Sequence, residues 1–226
     1  MAYRRTDTVV RRLAAREQSI LEAATAIAGE GGLAAVQIAV VAERAGIAAG
    51  TVYRYFPSKT DLIAELVAAV AGRELEAMQT AGDEAPGPLS ALAASIASFA
   101  ARALAERRLA WAVMGEAIDA EVDAMRLDFR QSLAAQLESR IELAIKGRHL
   151  PEQDARVTAP ALVGALMEGL LGPLAPTYDD AGAAREAVQT MTLLALRALG
   201  SVDARARGLV AQVVLPFSGR ETKVGE

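Results

Sequence analysis

The stretch from Val41 to Lys59 brings together a hydroxyl (Thr51), two phenols (Tyr53 and Tyr55), a guanidinium (Arg54) and an ammonium (Lys59). These are hydrogen-bond donors, suited to gripping phosphates and base edges rather than to breaking bonds. Groups that do covalent chemistry are scarce. His149 is the sole histidine and falls in the Gly147–Pro151 break; there is no cysteine and no G-x-S-x-G elbow. No phosphate-cradling glycine motif occurs in order. Asp179-Asp180 and the Asp119/Glu121/Asp123 set read as helix caps or solvated acids rather than cation ligands. Neither catalysis, nor a metal, nor a cofactor is expected.

The spacing around those donors says what holds them. Two short helices crossing steeply need a small residue where their backbones meet, and Ala42 fits. The turn between them needs a residue that accepts positive φ, which Gly46 supplies. Ile47 and Val52 point back and fasten the second helix, which is expected to begin near Ala48 and reach Tyr53 or Arg54. Pro57 ends the segment. Ser58 then caps a new helix, with Asp61 as the acidic partner three residues on. This is the grammar of a helix-turn-helix, a device that touches DNA.

In this order, with Ile20, Leu21, Ala24 and Ile27 on a preceding helix, the Gly31-Gly32 turn and the run Tyr53-Arg54-Tyr55-Phe56-Pro57-Ser58-Lys59, residues 16–62 resemble the DNA-binding domain of the TetR family of bacterial transcriptional regulators. The resemblance implies that Thr51, Tyr53 and Lys59 contact phosphates and that Gly50 permits close backbone approach. Tyr55 and Phe56 are expected to pack inward. Some positions depart from the family pattern: Ala48 stands where the recognition helix often opens with Ser or Thr, Ala49 where a polar residue is common, and Ala39 and Val40 where Arg or Asp often stand. Gln37 suits bidentate reading of adenine, Arg54 suits guanine or phosphate, and Ala48 or Ala49 can pack on a thymine methyl. So bare a face implies reading that depends more than usual on DNA shape.

Composition sets the rest. Hydrophobic residues make up 53% and aromatics only 4%, so the core is built of Ala, Leu and Val and favours helices. The expected fold is all-α: an N-terminal three-helix helix-turn-helix domain (1–60, with a loosely ordered basic arm at 1–14), then a C-terminal helical ligand-binding and dimerisation domain (61–226). Net charge is −4, yet residues 1–60 hold eight basic against five acidic side chains, a net +3 that leaves −7 for the remainder. A basic head on an acidic body orients the molecule toward phosphate. Arg4, Arg5, Arg11 and Arg12 of the arm offer minor-groove or phosphate contacts. Met1–Arg16 has no apolar signal core, and no uncharged apolar run of membrane length occurs, so a cytoplasmic protein with no membrane partner is expected.

Helices are expected over about 58–80, 89–106, 109–117, 119–146, 153–172 and 182–200, with the 201–226 tail, including its apolar run Leu209–Phe217, unassigned. In the last two long helices Ala161, Ala165 and Gly169, flanked by Leu162, Leu166 and Leu170, and then Ala187, Met191 and Ala195, form small-residue ridges that suit helix packing between two copies. A homodimer would place two recognition helices about 34–36 Å apart on a near-palindromic double-stranded operator. Phe99, Trp111, Met114, Met125, Phe129 and Met167, with Glu116 as a polar contact, are candidates to line a pocket for a small lipophilic effector. The family habit implies a repressor released by that effector. The alternative is a dimeric DNA-binding regulator with no small-molecule ligand, set by a protein partner or by abundance.

Overall fold

A computed structural model describes residues 2–116, 120–178 and 180–213, with side chains from Val9 onward. Asp119, Asp179, the Val214–Phe217 part of the apolar run and the side chains of Arg4 and Arg5 lie outside the described residues. The elements are α1 (Ala2–Gly31), a 3₁₀ turn (Leu33–Ala35), α2 (Ile38–Arg44), α3 (Ala49–Tyr55), α4 (Lys59–Asp83), α5 (Pro88–Ala105), α6 (Arg107–Met114), α7 (Ala120–Lys146), α8 (Ala155–Leu166, continued by a π-helical turn, Met167–Leu171), α9 (Ala181–Ala198) and α10 (Asp203–Gln212). The fold is all-α, as composition required.

The chain divides into two compact units. One, the head unit, is Met1–Ala71 with Arg108–Asp128; the other is Gly72–Arg107 with Phe129–Glu226. The head unit thus carries α4 as far as Ala71, beyond the expected division after residue 60, and also takes in α6 and the start of α7. Its core joins Ile20, Ala24 and Ile27 of α1 to Leu33, Val41, Val52, Phe56, Leu62 and Leu66, all buried. The expected loose arm at 1–14 is instead the first turns of α1. No Gly or Pro interrupts the sequence before Gly29, and Arg11, Arg12, Ala14 and Ala15 are strong helix formers.

In the second unit α5 is the central helix, packed against α9, α10 and the π turn. By length and composition it could cross a bilayer, but most of it is covered, Leu92, Ile96, Phe99 and Ala100 fully so. The second half of α4 is tied to its neighbours through backbone carbonyls. Ser95 Oγ donates to the Met78 carbonyl (3.0 Å), Gln136 to Leu75 (3.1 Å) and Arg140 to Gln79 (3.1 Å). Asp154 and Asp180 cap α8 and α9, each accepting a backbone N–H of the first turn. The unassigned tail contributes α10, whose Ala206 and Val210 are buried.

Candidate DNA interface

The turn between α2 and α3 closes as a Schellman motif. The Ile47 N–H donates to the Ala42 carbonyl (2.9 Å) and the Gly46 N–H to that of Glu43 (3.1 Å). Gly46 has φ +65° with open space where a Cβ would stand, so glycine is required there for its backbone alone. Ala42 and Val41 of α2 and Val52 of α3 are buried at the crossing, and Ile47 is half-buried. Ala48 is the N-cap of α3 with φ −74° and ψ 146°, and no side chain caps the helix. Its methyl cannot cap the first turn of α3, an omission of about 0.5–2 kcal/mol relative to Ser or Thr, although the Thr51 N–H donates to the Ala48 carbonyl (2.8 Å). Open N–H groups at a helix start are also anion seekers.

The outward residues of this region are Gln37, Ala48, Ala49, Gly50, Tyr53 and Arg54, with Thr51 and Lys59 half-buried at the edge. Tyr53 is 52% exposed, whereas Phe56 is buried and Tyr55 half-buried. Gln37 is less free than its position suggested. Its side-chain amide donates to the Ala34 carbonyl (2.8 Å), so reading adenine means sharing or breaking that bond. Ser58 and Asp61 form a capping box that starts α4. The Ser58 N–H donates to Asp61 Oδ2 (2.9 Å) and the Asp61 N–H to Ser58 Oγ (3.0 Å). Lys59, the first residue of α4, is therefore held at a fixed helix end.

Two polar clusters of the head were not read from the sequence. Arg44, at the end of α2, grips Glu30 of α1 with two bonds of 2.6 and 2.8 Å. The guanidinium bond holds the Glu30 carboxyl below its ordinary range and raises Arg44 in turn. One of the basic residues counted toward the head is thus neutralised locally. The second cluster sits where α1 ends. Glu116 Oε2 accepts the Leu33 N–H (3.3 Å) and a bond from Arg108 Nη1 (3.0 Å), while Arg108 Nη2 donates to the Gly31 carbonyl (3.1 Å). One ion pair closes both the last carbonyl of α1 and the first N–H of the 3₁₀ turn. Gly32 lies under it at φ +81°, and a Cβ there would fall 1.8 Å from Arg108 Nη2 and 2.5 Å from Glu116 Oε2. The Leu33–Glu116 separation of 83 residues hides the cluster from any local pattern.

The residues expected to line a pocket fall in both units. Trp111, Met114, Glu116 and Met125 belong to the head unit, and Phe99, Phe129 and Met167 to the other. Phe99, Met114, Phe129 and Met167 are buried core, and Glu116 is occupied by Arg108 and Leu33. A cavity of about 810 Å³ lies elsewhere, within the second unit, lined by α4, α5 and the end of α10. Ala77, Ala81, Ala93 and Ala94 line it with Thr80, Ser98, Glu76, Glu84, Arg73, Arg102 and Leu209. Small side chains make the space. Arg102 is held by Glu74 with bonds of 2.7 and 2.9 Å, and Arg73 by Glu106 at 2.8 Å.

The ridge residues also separate. Ala161 and Ala165 are exposed, and Gly169, Ala187 and Met191 half-buried. Leu162, Leu166, Leu170 and Ala195 are instead buried in the core of their own unit and closed to a second chain. The outward apolar surface of α8 and α9 includes Val157 and Leu194, 65% and 50% exposed, beside Ala161, Gly164 and Ala165. Leu162 and Leu166 are offset from Ala161 and Ala165 by one residue, about 100° around a helix, so one set faces out and the other in.

Residues 20–66 match the bacterial regulatory proteins of the tetR family. The chain is 51% identical over 72 residues to the HTH-type transcriptional repressor KstR of Rhodococcus jostii, and 53% over 70 residues to that of Mycolicibacterium smegmatis. Those segments cover 32% and 31% of this chain, and the match spans about a third of the relatives' own length, 32% in each. The whole fold is also shared with solved structures. RolR in complex with resorcinol matches at TM-score 0.64 and 18% identity, over 91% of this chain and 97% of that one. FadR from Bacillus subtilis in complex with stearoyl-CoA matches at 0.61 and 18%, over 86% and 95%. GusR of Salmonella enterica matches at 0.65 and 22%, over 81% and 95%. With the helix-turn-helix and its aromatic stop in place, residues 20–66 carry the N-terminal domain of the tetR family of bacterial regulatory proteins.

Proposed function

We propose that this chain is a cytoplasmic transcriptional repressor that binds a near-palindromic DNA operator as a homodimer and lets go when a small lipophilic molecule binds its second unit. The observation that carries the reading is the face of α3. Tyr53, Arg54 and the uncapped start of the helix at Ala48 and Ala49 are exposed, with Thr51 half-buried at their edge, on a segment half identical to known repressors. Donors so placed suit phosphates, and the bare Ala48-Ala49-Gly50 edge suits close approach to a groove. Two-fold pairing through the exposed small residues Ala161, Gly164 and Ala165 with Val157 and Leu194 would present two such faces. The cavity of about 810 Å³ is the candidate effector site, because its alanines and hydroxyls offer room and a few polar contacts. Two fold neighbours were solved with small molecules, resorcinol and stearoyl-CoA, which fits such a use.

The test is selection of duplexes from a random library by the purified full chain. The expected product is an inverted repeat bound by two chains, with affinity that falls steeply as salt rises. Enrichment of no motif, or of a motif bound by one chain, would refute the reading.

A further inference from the structure

The cavity of the second unit carries an uneven charge. Arg73 and Arg102 both line it. Arg102 donates to the two oxygens of Glu74 (2.7 and 2.9 Å), and Arg73 donates to Glu74 (3.0 Å) and to Glu106 (2.8 Å). Two guanidinium groups and two carboxylates thus satisfy one another. Glu76 and Glu84 also line the cavity, both exposed, and among the described residues neither has an ion-pair partner. The charge left over is that of two carboxylates. They stand on α4 two turns apart, about 12 Å along the helix, with Ala77 and Ala81 between them. Ala93 and Ala94 of α5 complete an apolar floor. Among the described residues no aromatic ring lines the cavity, so a cation is held there by N–H donation to a carboxylate and not over a ring face.

We propose that this cavity takes an amphipathic amine: a primary alkylammonium whose head donates to Glu76 or Glu84 and whose chain lies on the alanine floor. The inference rests on the reading of the cavity as the effector site and names the chemical class of the effector. An anionic amphiphile is disfavoured twice. The arginines that would meet its head are already paired, and its entry sets a carboxylate beside two others. A neutral amphiphile gains the floor alone. The volume, about 810 Å³, is in the range of sites for drug-sized molecules. Exposure sets the size of the effect. An exposed ion pair contributes up to about fivefold in affinity, and exchanging the ammonium for a carboxylate turns attraction into repulsion, so about tenfold or more separates the two heads.

The test is titration calorimetry of the full chain with decylamine, decanol and decanoate, which share a chain and differ in the charge of the head. At neutral pH decylamine is protonated, as a lysine side chain is. The expected result at low salt is that decylammonium binds about tenfold or more tightly than decanoate, with decanol between them, and that the preference shrinks as salt rises. Glu76→Gln combined with Glu84→Gln should bring the three affinities within about twofold of one another. Both glutamates are exposed, so their replacement leaves the core intact. Ala94→Leu, which fills the floor, should weaken all three. Decanoate binding as tightly as decylammonium overturns the proposal; if Ala94→Leu also abolishes that binding, the cavity is still a ligand site, for another class. Decylammonium binding that is indifferent to both sets of substitutions lies elsewhere and overturns the proposal, as does binding of none of the three probes. A second copy of the chain seated over α4 and α5 would make all three weaken as protein concentration rises, and that outcome overturns it too. Failure to select any duplex counts against the repressor reading, while the titration still decides the ligand class.

Discussion

In the head unit, helix ends are closed by groups a few residues away, Ile47 to Ala42 and Ser58 with Asp61, while the N-cap at Ala48 has no side-chain cap. In the second unit, helices are held by long side chains reaching distant carbonyls, as Arg107, Gln136 and Arg140 do. The first kind fixes a surface with little tolerance. The second leaves space between alanine-lined faces, where the cavity lies. A unit proposed to read DNA needs its donors in one geometry, and one proposed to answer a ligand needs room. The Arg108–Glu116 cluster is the exception, a long-range tie inside the head unit.

The largest expected effect separates buried from outward residues on α8. Leu166→Glu places an unpaired charge in a core position 1% exposed, and should cost about 4 kcal/mol or more and lose the fold on heating or in mild urea. Ala165→Glu, one residue away and exposed, should keep the fold and its melting temperature but shift sedimentation from dimer to monomer. If both variants stay folded and dimeric, the inward assignment of Leu166 and the interface on α8 both fail.

Next come the two positive-φ glycines of the head. Gly46→Ala should cost about 1 kcal/mol, the strain of left-handed backbone alone, because nothing stands near its Cβ. Gly32→Ala carries the same strain and must also push aside the Arg108 and Glu116 side-chain ends, so about 2–4 kcal/mol is expected. Urea unfolding of both variants measures the difference. Equal losses would mean that the cluster yields freely and holds nothing. Smaller still is Lys59→Ala, which should leave stability nearly unchanged, weaken all duplexes alike and flatten the salt slope by about 0.9. Ala48→Ser should add about 1 kcal/mol of stability by capping α3.

The same contrast explains what could be read without coordinates. Gly46, Pro57 and the Ser58–Asp61 box act within five residues of themselves, and Val52 across one short turn, so their types and spacing were sufficient. Bulky apolar residues such as Phe99 and Met114 are buried in the cores, and the cavity of the second unit forms where Ala and Ser stand. Alanine gives no signal of its own, since it is also the best helix former. The four-residue repeat on α8 does not say which of two adjacent stripes faces out. α10 was missed because Asp203–Gln212 buries only Ala206 and Val210. Glu116 is read from the sequence as a polar contact, but its partner Leu33 lies too far along the chain for any periodicity to reveal.

The smallest effect has opposite signs in two measurements. Glu30 lies on the head and holds Arg44 in a pair that is open to solvent, so its contribution to stability is modest. The Glu30 carboxyl is depressed in the folded state, chiefly by its bond to Arg44. Its stabilisation is therefore present above the ordinary carboxylate range and lost as pH falls through the folded value. Glu30→Gln should unfold slightly more easily than wild type near neutral pH, and the two should converge in acid, once the pH has fallen through the depressed folded value. Operator affinity should move the other way. Removing the acid leaves the Arg44 charge uncompensated on a unit that meets phosphate, so binding tightens and its salt slope steepens. A variant that loses both stability and affinity would show that the pair's role is to hold α1 against α2 for DNA binding, and that Arg44 adds nothing to the field the head presents.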